Sequence, residues 1–431
     1  VRALATVVLV GTLDTKGEEY AWLRERLREY GADVLLVDTG VLPHPAHGPV
    51  PDIPAELVAR AGGHELTALR AAGDRAAAVA AMADGLTRVV LDLHRSGRAH
   101  AVLAAAGSGG SSLAAQAMRA LPIGVPKILV STMAGGDVSP YVDSSDLTMM
   151  YSVVDIAGLN SVSRQVLGNA AAAAAGMARR HERNQDLPAG RGRKVVAATM
   201  FGVTTPAVDT ARARLAEHGY EVLVFHATGA GGRAVEKLAR DGLLDGVLDL
   251  TTTELADELV GGVLSAGPRR LTAAGAAGIP QVVAPGALDM VNFGPEASVP
   301  ERFAGRRLLV HNATVTLMRT TGAEMAELGT AIGRKLAAAR GPAEVFWPRR
   351  GVSAVDVAGG PFADPDADAA GLDALRRAVA GSGVRIHELD AHVNDASFAV
   401  AMADRLHRLI SDHTAPTRTP TTTLTPSRTL P

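Results

Sequence analysis

Short apolar runs alternate with longer amphipathic stretches from the first residues of the chain. Thr6–Val10, Val34–Val37, Ala101–Ala105 and Ile128–Val130 are each of strand length, and helical spacing runs through Glu18–Tyr30 and the Ala-rich Asp74–Leu86 between them. Apolar runs of this kind, separated by helices, predict βαβ units on a parallel sheet covered on both faces, with right-handed crossovers. Asn160–Arg180 predicts a long helix, with Asn160 or Ser161 as its cap. The polar, Pro- and Gly-containing stretch His181–Arg193 then predicts an interdomain linker.

The pattern starts again after that break. Lys194–Met200 predicts a strand, Phe201–Pro206 a turn, Val208–His218 a helix and Glu221–Phe225 the next strand. Further strands are predicted at Gly246–Leu250, Gln281–Ala284, Leu308–His311, Ala343–Phe346 and Val384–Leu389, with a closing helix from Asp395 to Ile410. The two halves open in the same order and with similar spacing. The expected architecture is α/β: two doubly wound, mostly parallel-sheet, Rossmann-like domains at 1–180 and 194–412, joined by a linker at 181–193. The Thr/Pro low-complexity segment 413–431 cannot bury a core and is expected to be disordered.

Composition narrows the function classes. A chain of 431 residues exceeds one ordinary core, and 47% hydrophobic with 3% aromatic residues calls for an aliphatic, Ala-rich interior. A formal charge of −2 gives no electrostatic reason to expect nucleic acid or an anionic membrane as partner. With no Cys, disulfides, thiolate metal sites and Cys nucleophiles are excluded, which fits a cytoplasmic protein. Ala3–Val10 predicts a buried strand rather than a signal peptide, and no apolar run reaches the ~18 residues of a membrane span. The expectation is a soluble, cytoplasmic protein.

Two strand-to-helix junctions in the first domain suit phosphate, because free amides and the positive end of a helix dipole face outward there. Gly11–Glu18 offers the hydroxyls of Thr12 and Thr15, the cation of Lys16 and Asp14 as a magnesium partner. Gly107–Ser112 (Gly107, Ser108, Gly109, Gly110, Ser111, Ser112) follows a strand and precedes a helix, its glycines admitting close backbone approach. Neither is a Walker A loop, and by pattern alone each is as readily a tight turn or a capped helix start. Asp38, at the end of the second strand, is either a ribose-binding acid or a turn former. Thr228–Ala234 reads as GxGxxA but follows the second strand of its domain, which places the dinucleotide fingerprint wrongly and disfavours NAD.

In the second domain, polar residues gather at predicted strand ends: His226, Thr251–Glu254, Asp289, His311 and Arg319. Were His226, Asp289, His311 and Arg319 to meet in one crevice, they could polarise a carbonyl or carboxylate and move a proton. For any one His, satisfying a buried backbone group is the commoner role. His44–His47 (HPAH) lies in a loop and is not read as a metal pair.

Longer motifs are more specific than these loops. VGTLDTKGEE (10–19), ADVLLVDTGV (32–41), the stretch 131–160, MFGVTTPAVD (200–209), VFHATGAGGRAVEKL (224–238), GALDMVNFGP (286–295) and HNATVTLMRTT (311–321) resemble the Tm-1-like family, over nearly the whole predicted ordered chain. That family is named for a plant tobamovirus-resistance protein and includes bacterial relatives. The resemblance implies two α/β domains, ATP with Mg2+ bound in the first, and a homodimer. It also implies that Thr132–Asp137, Thr132 included, completes the phosphate site. The family's GGSGGT stands here as AAGSGGSS, with Ser111 at the threonine position, and Ala207 replaces a frequent Cys. Inhibition of a viral replication protein, implied for the plant member, depends on a particular surface and is not carried over.

The function expected is therefore ATP–Mg binding in the first domain, with a second domain that binds a protein partner or small metabolite. The alternative is an enzyme acting on a small carboxylate or carbonyl substrate in the second domain, with ATP as cosubstrate or regulator. A third reading has ATP only rigidifying an interaction module.

Overall fold

The computed structural model describes residues 4–43, 45, 47–185 and 192–414. The chain divides into two compact units, Val1–Arg191 and Gly192–Pro431.

In the first unit, strands β1 (Thr6–Gly11), β2 (Asp33–Asp38), β3 (Ala101–Ala106), β4 (Lys127–Ser131) and β5 (Thr148–Tyr151) form one sheet in the order β2-β1-β3-β4-β5. Every pairing is parallel. The helices are α1 (Leu13–Glu29), α2 (Ala55–Ala61), α3 (Leu66–Ala72), α4 (Arg75–Arg95), α5 (Ser108–Ala120), α6 (Ser139–Val142) and α7 (Ser161–Gln185). Alternate strand residues serve opposite faces. Val7 and Leu9 pack with Leu23 and Leu27 of α1 and with the small stripe Ala170, Ala171, Ala174, Ala175 and Ala178 of α7. Val8 and Val10 pack with Met82 and Leu86 of α4 and Leu113 and Met118 of α5. The alanine stripe lets α7 lie close on the sheet, which is how an aromatic-poor chain fills this layer.

Element boundaries depart from the sequence reading in instructive places. α1 begins at Leu13, five residues earlier than its apolar periodicity suggests, and Lys16 breaks its helical dihedrals (φ −131°, ψ 28°). β5, half exposed, has no apolar run to announce it. Asn160 does cap α7, its Oδ1 accepting from the Val162 and Ser163 amides at 3.0 and 2.9 Å. The helix then continues through His181–Gln185, into the segment assigned to the linker. Residues 186–191 lie outside the described residues.

The second unit repeats the plan. β6 (Val195–Met200), β7 (Glu221–His226), β8 (Gly246–Thr251), β9 (Gln281–Gly286), β13 (Ala343–Pro348) and β14 (Arg385–Leu389) form a six-stranded sheet in the order β14-β13-β9-β8-β6-β7. All its pairings are parallel, and its first four strands are arranged as in the first unit. Between β9 and β13 the chain inserts a three-stranded antiparallel sheet of β10 (Met290–Phe293), β11 (Leu308–Asn312) and β12 (Val315–Arg319), in the order β10-β12-β11. The predicted strand Leu308–His311 belongs to this insert and not to the parallel sheet. The remaining helices are α8 (Thr205–Glu217), α9 (Ala230–Arg240), α10 (Thr253–Val260), α11 (Ala273–Ala276), α12 (Gly322–Ala337), α13 (Pro365–Val379) and α14 (Ala396–Thr414). α14 takes in His413 and Thr414, so the tail assigned to 413–431 begins no earlier than 415, and residues 415–431 lie outside the described residues. Among the described residues no helix is long and apolar enough to cross a membrane.

Candidate functional site

In the first sheet the chain leaves β1 toward β2 and leaves β3 toward β4, so adjacent strands send their connections opposite ways. β1 and β3 pair only as far as Val10 and Ala104, and part beyond that point. Such a divergence at the carboxyl ends of parallel strands opens a crevice. Its floor is Tyr20. The phenol is buried, its oxygen lying 2.6 Å from the Val10 carbonyl and accepting the Ala105 amide at 2.9 Å. Burial pushes its ionisation well above the ordinary tyrosine value. Gly11 is obligatory above it, because a Cβ there would stand 1.9 Å from the ring.

Over this floor lies a cleft of about 960 Å³. Thr12, Asp14, Thr15 and Lys16 line it from the start of α1, Gly107, Ser108, Gly109 and Gly110 from the start of α5, and Thr132 from the turn after β4. Neither N-cap residue, Thr12 of α1 nor Gly107 of α5, caps its helix through a side chain. Both helix starts border the one cavity. Asp14 Oδ2 accepts the Leu42 amide at 2.8 Å, whereas its Oδ1 is buried without a hydrogen-bond partner. Gly40 makes room for this carboxylate, since a Cβ there would lie 2.7 Å from Asp14 Cγ. The Lys16 ammonium donates to the Ile156 carbonyl, and Glu19 accepts the Gly158 amide at 2.7 Å. Together they hold the loop that brings Asp155 to the cleft wall.

Three other residues singled out from the sequence do not line the cleft. Asp38 is buried beneath it, where Oδ1 accepts the Leu13 and Gly40 amides at 3.1 and 2.8 Å and so ties the end of β2 to the start of α1. The Ser111 hydroxyl is fully buried, 2.6 Å from that of Ser131 and 3.2 Å from the Ala106 carbonyl, and joins the ends of β3 and β4. Ser112 is exposed.

The residues singled out in the second unit are spread over different surroundings. Asp289 and Arg319 share one buried charge cluster with Asp356 and Asp368. Arg319 Nη2 lies 2.8 Å from Asp368 and 3.6 Å from Asp356, and Nε donates to the Phe362 carbonyl. Asp289 accepts the Ser353 hydroxyl at 2.8 Å, and burial pushes its carboxyl up to about 6. Asp368 is pushed up to about 7 by burial and by its neighbour Asp356. His226 is exposed at the end of β7, its ring 5.4 Å from that of Phe201, and His311 is exposed on β11. Among the described residues no hydrogen bond or ion pair joins either histidine to Asp289 or Arg319.

The polar run Thr251–Glu254 is wholly buried and spent internally. Thr251 meets the Thr204 hydroxyl at 2.8 Å, and Thr252 donates to the Ala284 carbonyl. Glu254 Oε1 accepts the Gly229 and Gly232 amides at the start of α9, while its Oε2 lies 2.6 Å from Arg270 Nε. Arg270, itself fully buried, is forked by Asp249 at 2.5 and 2.6 Å. The glycine-rich turn of this unit is closed by the protein's own carboxylate.

Residues 5–183 match the N-terminal domain of the uncharacterised protein family UPF0261, and residues 193–410 match its C-terminal domain. The chain belongs to the UPF0261 family. A UPF0261 protein of Clostridium tetani is 48% identical over 93% of this chain and 98% of its own length, and one of Mesorhizobium japonicum 47% identical over 92% and 97%. The ToMV resistance protein Tm-1 of Solanum lycopersicum is 40% identical over 92% of this chain but only 55% of the tomato protein, so this chain spans about half of that relative. The ToMV susceptible protein tm-1 of tomato is 39% identical over the same share. The resemblance to Tm-1-like proteins thus holds along both units. Among solved structures, a UDP-GlcNAc 2-epimerase of Methanocaldococcus jannaschii aligns at 6% identity over 93% of this chain and 92% of its own, with a TM-score of 0.20, too distant to carry any argument.

In this UPF0261 chain the cleft also recruits residues that the sequence reading did not assign to the site. Thr39, Arg70, Asp74, Arg75 and Asp155 line it. Arg70 donates to the carbonyls of Val41 and Leu42, fixing the loop after β2 as one wall. These residues come from helix ends and loops of ordinary composition. Only the fold brings them to the switch point between β1 and β3.

Proposed function

We propose that this UPF0261 protein binds ATP with Mg2+ in the cleft of its N-terminal unit. One observation carries the reading: the two strand-to-helix junctions, neither capped by the side chain of its own N-cap residue, open into the same cavity, with Lys16, Arg70 and Arg75 around it. Main-chain amides and helix dipoles at such junctions favour polyphosphate. Val41, Leu42, Pro43, Leu69, Val79 and Met82 supply an apolar wall suited to a flat base.

The residues present fit the metal. Asp14 Oδ1, buried and without a partner, is the kind of hard oxygen that Mg2+ takes, and Thr12 and Thr15 add hydroxyls within the same cleft. Among the described residues no group of three or more His, Cys, Asp or Glu could hold a metal unaided. This matches a cation that needs phosphate oxygens to complete its shell and that would offset the charge of the phosphates when bound.

For the C-terminal unit we favour binding of a partner or small metabolite over catalysis on a carboxylate or carbonyl. The supporting observation is that Asp289 and Arg319 are engaged in a buried cluster apart from any contact with His226 or His311.

Calorimetric titration of the full chain with Mg–ATP tests the nucleotide reading. Saturable binding to the wild type, weakened about tenfold or more in Asp14→Ala and Lys16→Ala, is expected. Unchanged affinity in both variants would remove the phosphate assignment.

A further inference from the structure

Where α8 ends, two imidazoles lie face to face. The rings of His218, which follows the last residue of α8, and His407, from α14, have centroids 4.0 Å apart and planes 3° from parallel. Each ring uses one nitrogen on a different partner. His218 Nε2 lies 2.8 Å from Asp404 Oδ1, and His407 Nδ1 lies 3.0 Å from the Tyr220 hydroxyl. Arg214 holds the same Asp404, its Nε 2.6 Å from Oδ1. Hydrogen bonds from Arg214 and then His218 pull the Asp404 carboxyl down to about 2. The charged groups around the stack are thus Arg214 and Glu217 from α8, Asp404 and Arg408 from α14, and Asp245 before β8, on the Tyr220 side.

The stack fastens the end of α14. Asp404, His407 and Ser411 recur at helical spacing and so share the face turned to this cluster. On the same turns Leu406, Leu409 and Ile410 are buried in the core of the unit. Gly246, at the start of β8, lets them lie close, since a Cβ there would stand 2.5 Å from Ile410 Cδ1.

A neutral imidazole keeps one bare nitrogen that can accept the Tyr220 hydroxyl; a protonated one has none. Protonated His407 would also set its charge against Arg214, Arg408 and the facing ring. Burial, followed by His218, holds the half-buried His407 below the ordinary histidine value, with Asp404 opposing. Freed into water, the ring returns to about 6.5. The opened form therefore binds the proton more tightly, and acid favours opening.

We infer that the His218–His407 stack is a proton-operated clasp: with His407 neutral it holds the last turns of α14 in place, and proton uptake by His407 releases them, baring Leu406, Leu409 and Ile410. The contribution of the clasp is complete above the ordinary histidine range and is lost as pH falls through the lowered value of His407.

The test is hydrogen exchange of the full chain, read as protection factors at the amides of 406–412, with α12 of the same unit as reference. From about pH 7.5 to 5.5, wild-type protection in α14 should fall about five- to tenfold relative to α12, the range open to one proton with a free value of about 6.5. His407→Phe keeps a flat ring with nothing to protonate, and there the fall should be absent. Ring-proton NMR of the wild type gives a second reading, in which His407 titrates below the exposed His413. Should the variant not fold, the two wild-type readings decide the matter. Wild-type protection that does not change with pH, an equal fall in His407→Phe, or a His407 midpoint at or above that of His413 overturns the clasp.

Discussion

Glu254 places a carboxylate oxygen 2.7 Å from the amide of Gly229, the spot an anionic ligand would take at a glycine-rich helix start. The other oxygen pairs with the buried Arg270. Glu254→Ala should therefore leave two amides and the Nε of Arg270 unsatisfied, at a cost of about 3–5 kcal/mol in the C-terminal unit. Chemical denaturation checks the size of the loss. The same variant should regain thermal stability in sulfate or phosphate more than the wild type does, because an inorganic anion can enter the vacated seat. A loss below about 1 kcal/mol would show that the carboxylate contributes little.

At the start of α5 the amides carry no such internal plug, and an added carboxylate should supply one. Gly109→Asp puts an acid in the first turn of the helix, favourable to the dipole by about 0.3–1 kcal/mol. Among the described residues outside the local helix backbone, Arg75 alone comes within 4 Å of a Cβ placed there. Nucleotide affinity is expected to fall by at least about tenfold while the unliganded protein melts no lower than the wild type. Calorimetry and a melting curve on the same sample distinguish this from misfolding.

The contrast between the two glycine-rich turns explains how much could be read in advance. Both show small residues between a strand and a helix, and the sequence pattern treats them alike. What separates them is Glu254, which is distant in sequence and reaches back only once β7 and β8 flank β6. The doubly wound plan was legible because parallel strands buried on both faces leave continuous apolar runs. Thr12, Asp14, Lys16 and Gly107–Gly110 were legible as a group because strand ends on one sheet edge must be neighbours. Asp38 and Ser111 were not separable from them, since a hydroxyl or carboxylate at a strand end serves a ligand or a backbone amide equally well. β5, the antiparallel insert and Arg75 were invisible for a different reason. Edge exposure, a strand pattern shared by both kinds of sheet, and a lone cation at a helix start carry no periodic signal.

Backbone strain near the cleft gives another measurable effect. Val153, on the loop held by Lys16 and Glu19, has φ 66°, and it is exposed. A β-branched residue in the left-handed region costs about 1–3 kcal/mol, which glycine avoids. Against this stands the greater freedom glycine gives the unfolded chain, about 0.5–1 kcal/mol. Val153→Gly should then raise stability by about 1 kcal/mol, seen as a higher denaturant midpoint with an unchanged slope. A lowered midpoint would mean that the valine side chain makes contacts worth more than its strain.

The buried acids of the C-terminal unit should make stability depend on pH in an unusual direction. Burial raises Asp289 to about 6, and burial with Asp356 raises Asp368 to about 7. In the unfolded chain both titrate near 4. Between about pH 4 and 7 the folded state therefore holds protons that the unfolded state has released, and stability falls as pH rises across that window. Below it both states are protonated, and above it both are ionised, so this contribution is flat on either side. Asp289→Asn removes one ionisable group and should flatten the decline by on the order of 3 kcal/mol, with Ser353 still able to donate to the amide oxygen. Denaturation midpoints measured from pH 4 to 8 provide the check, and a slope identical to the wild type would show that Asp289 does not hold its proton in the folded protein.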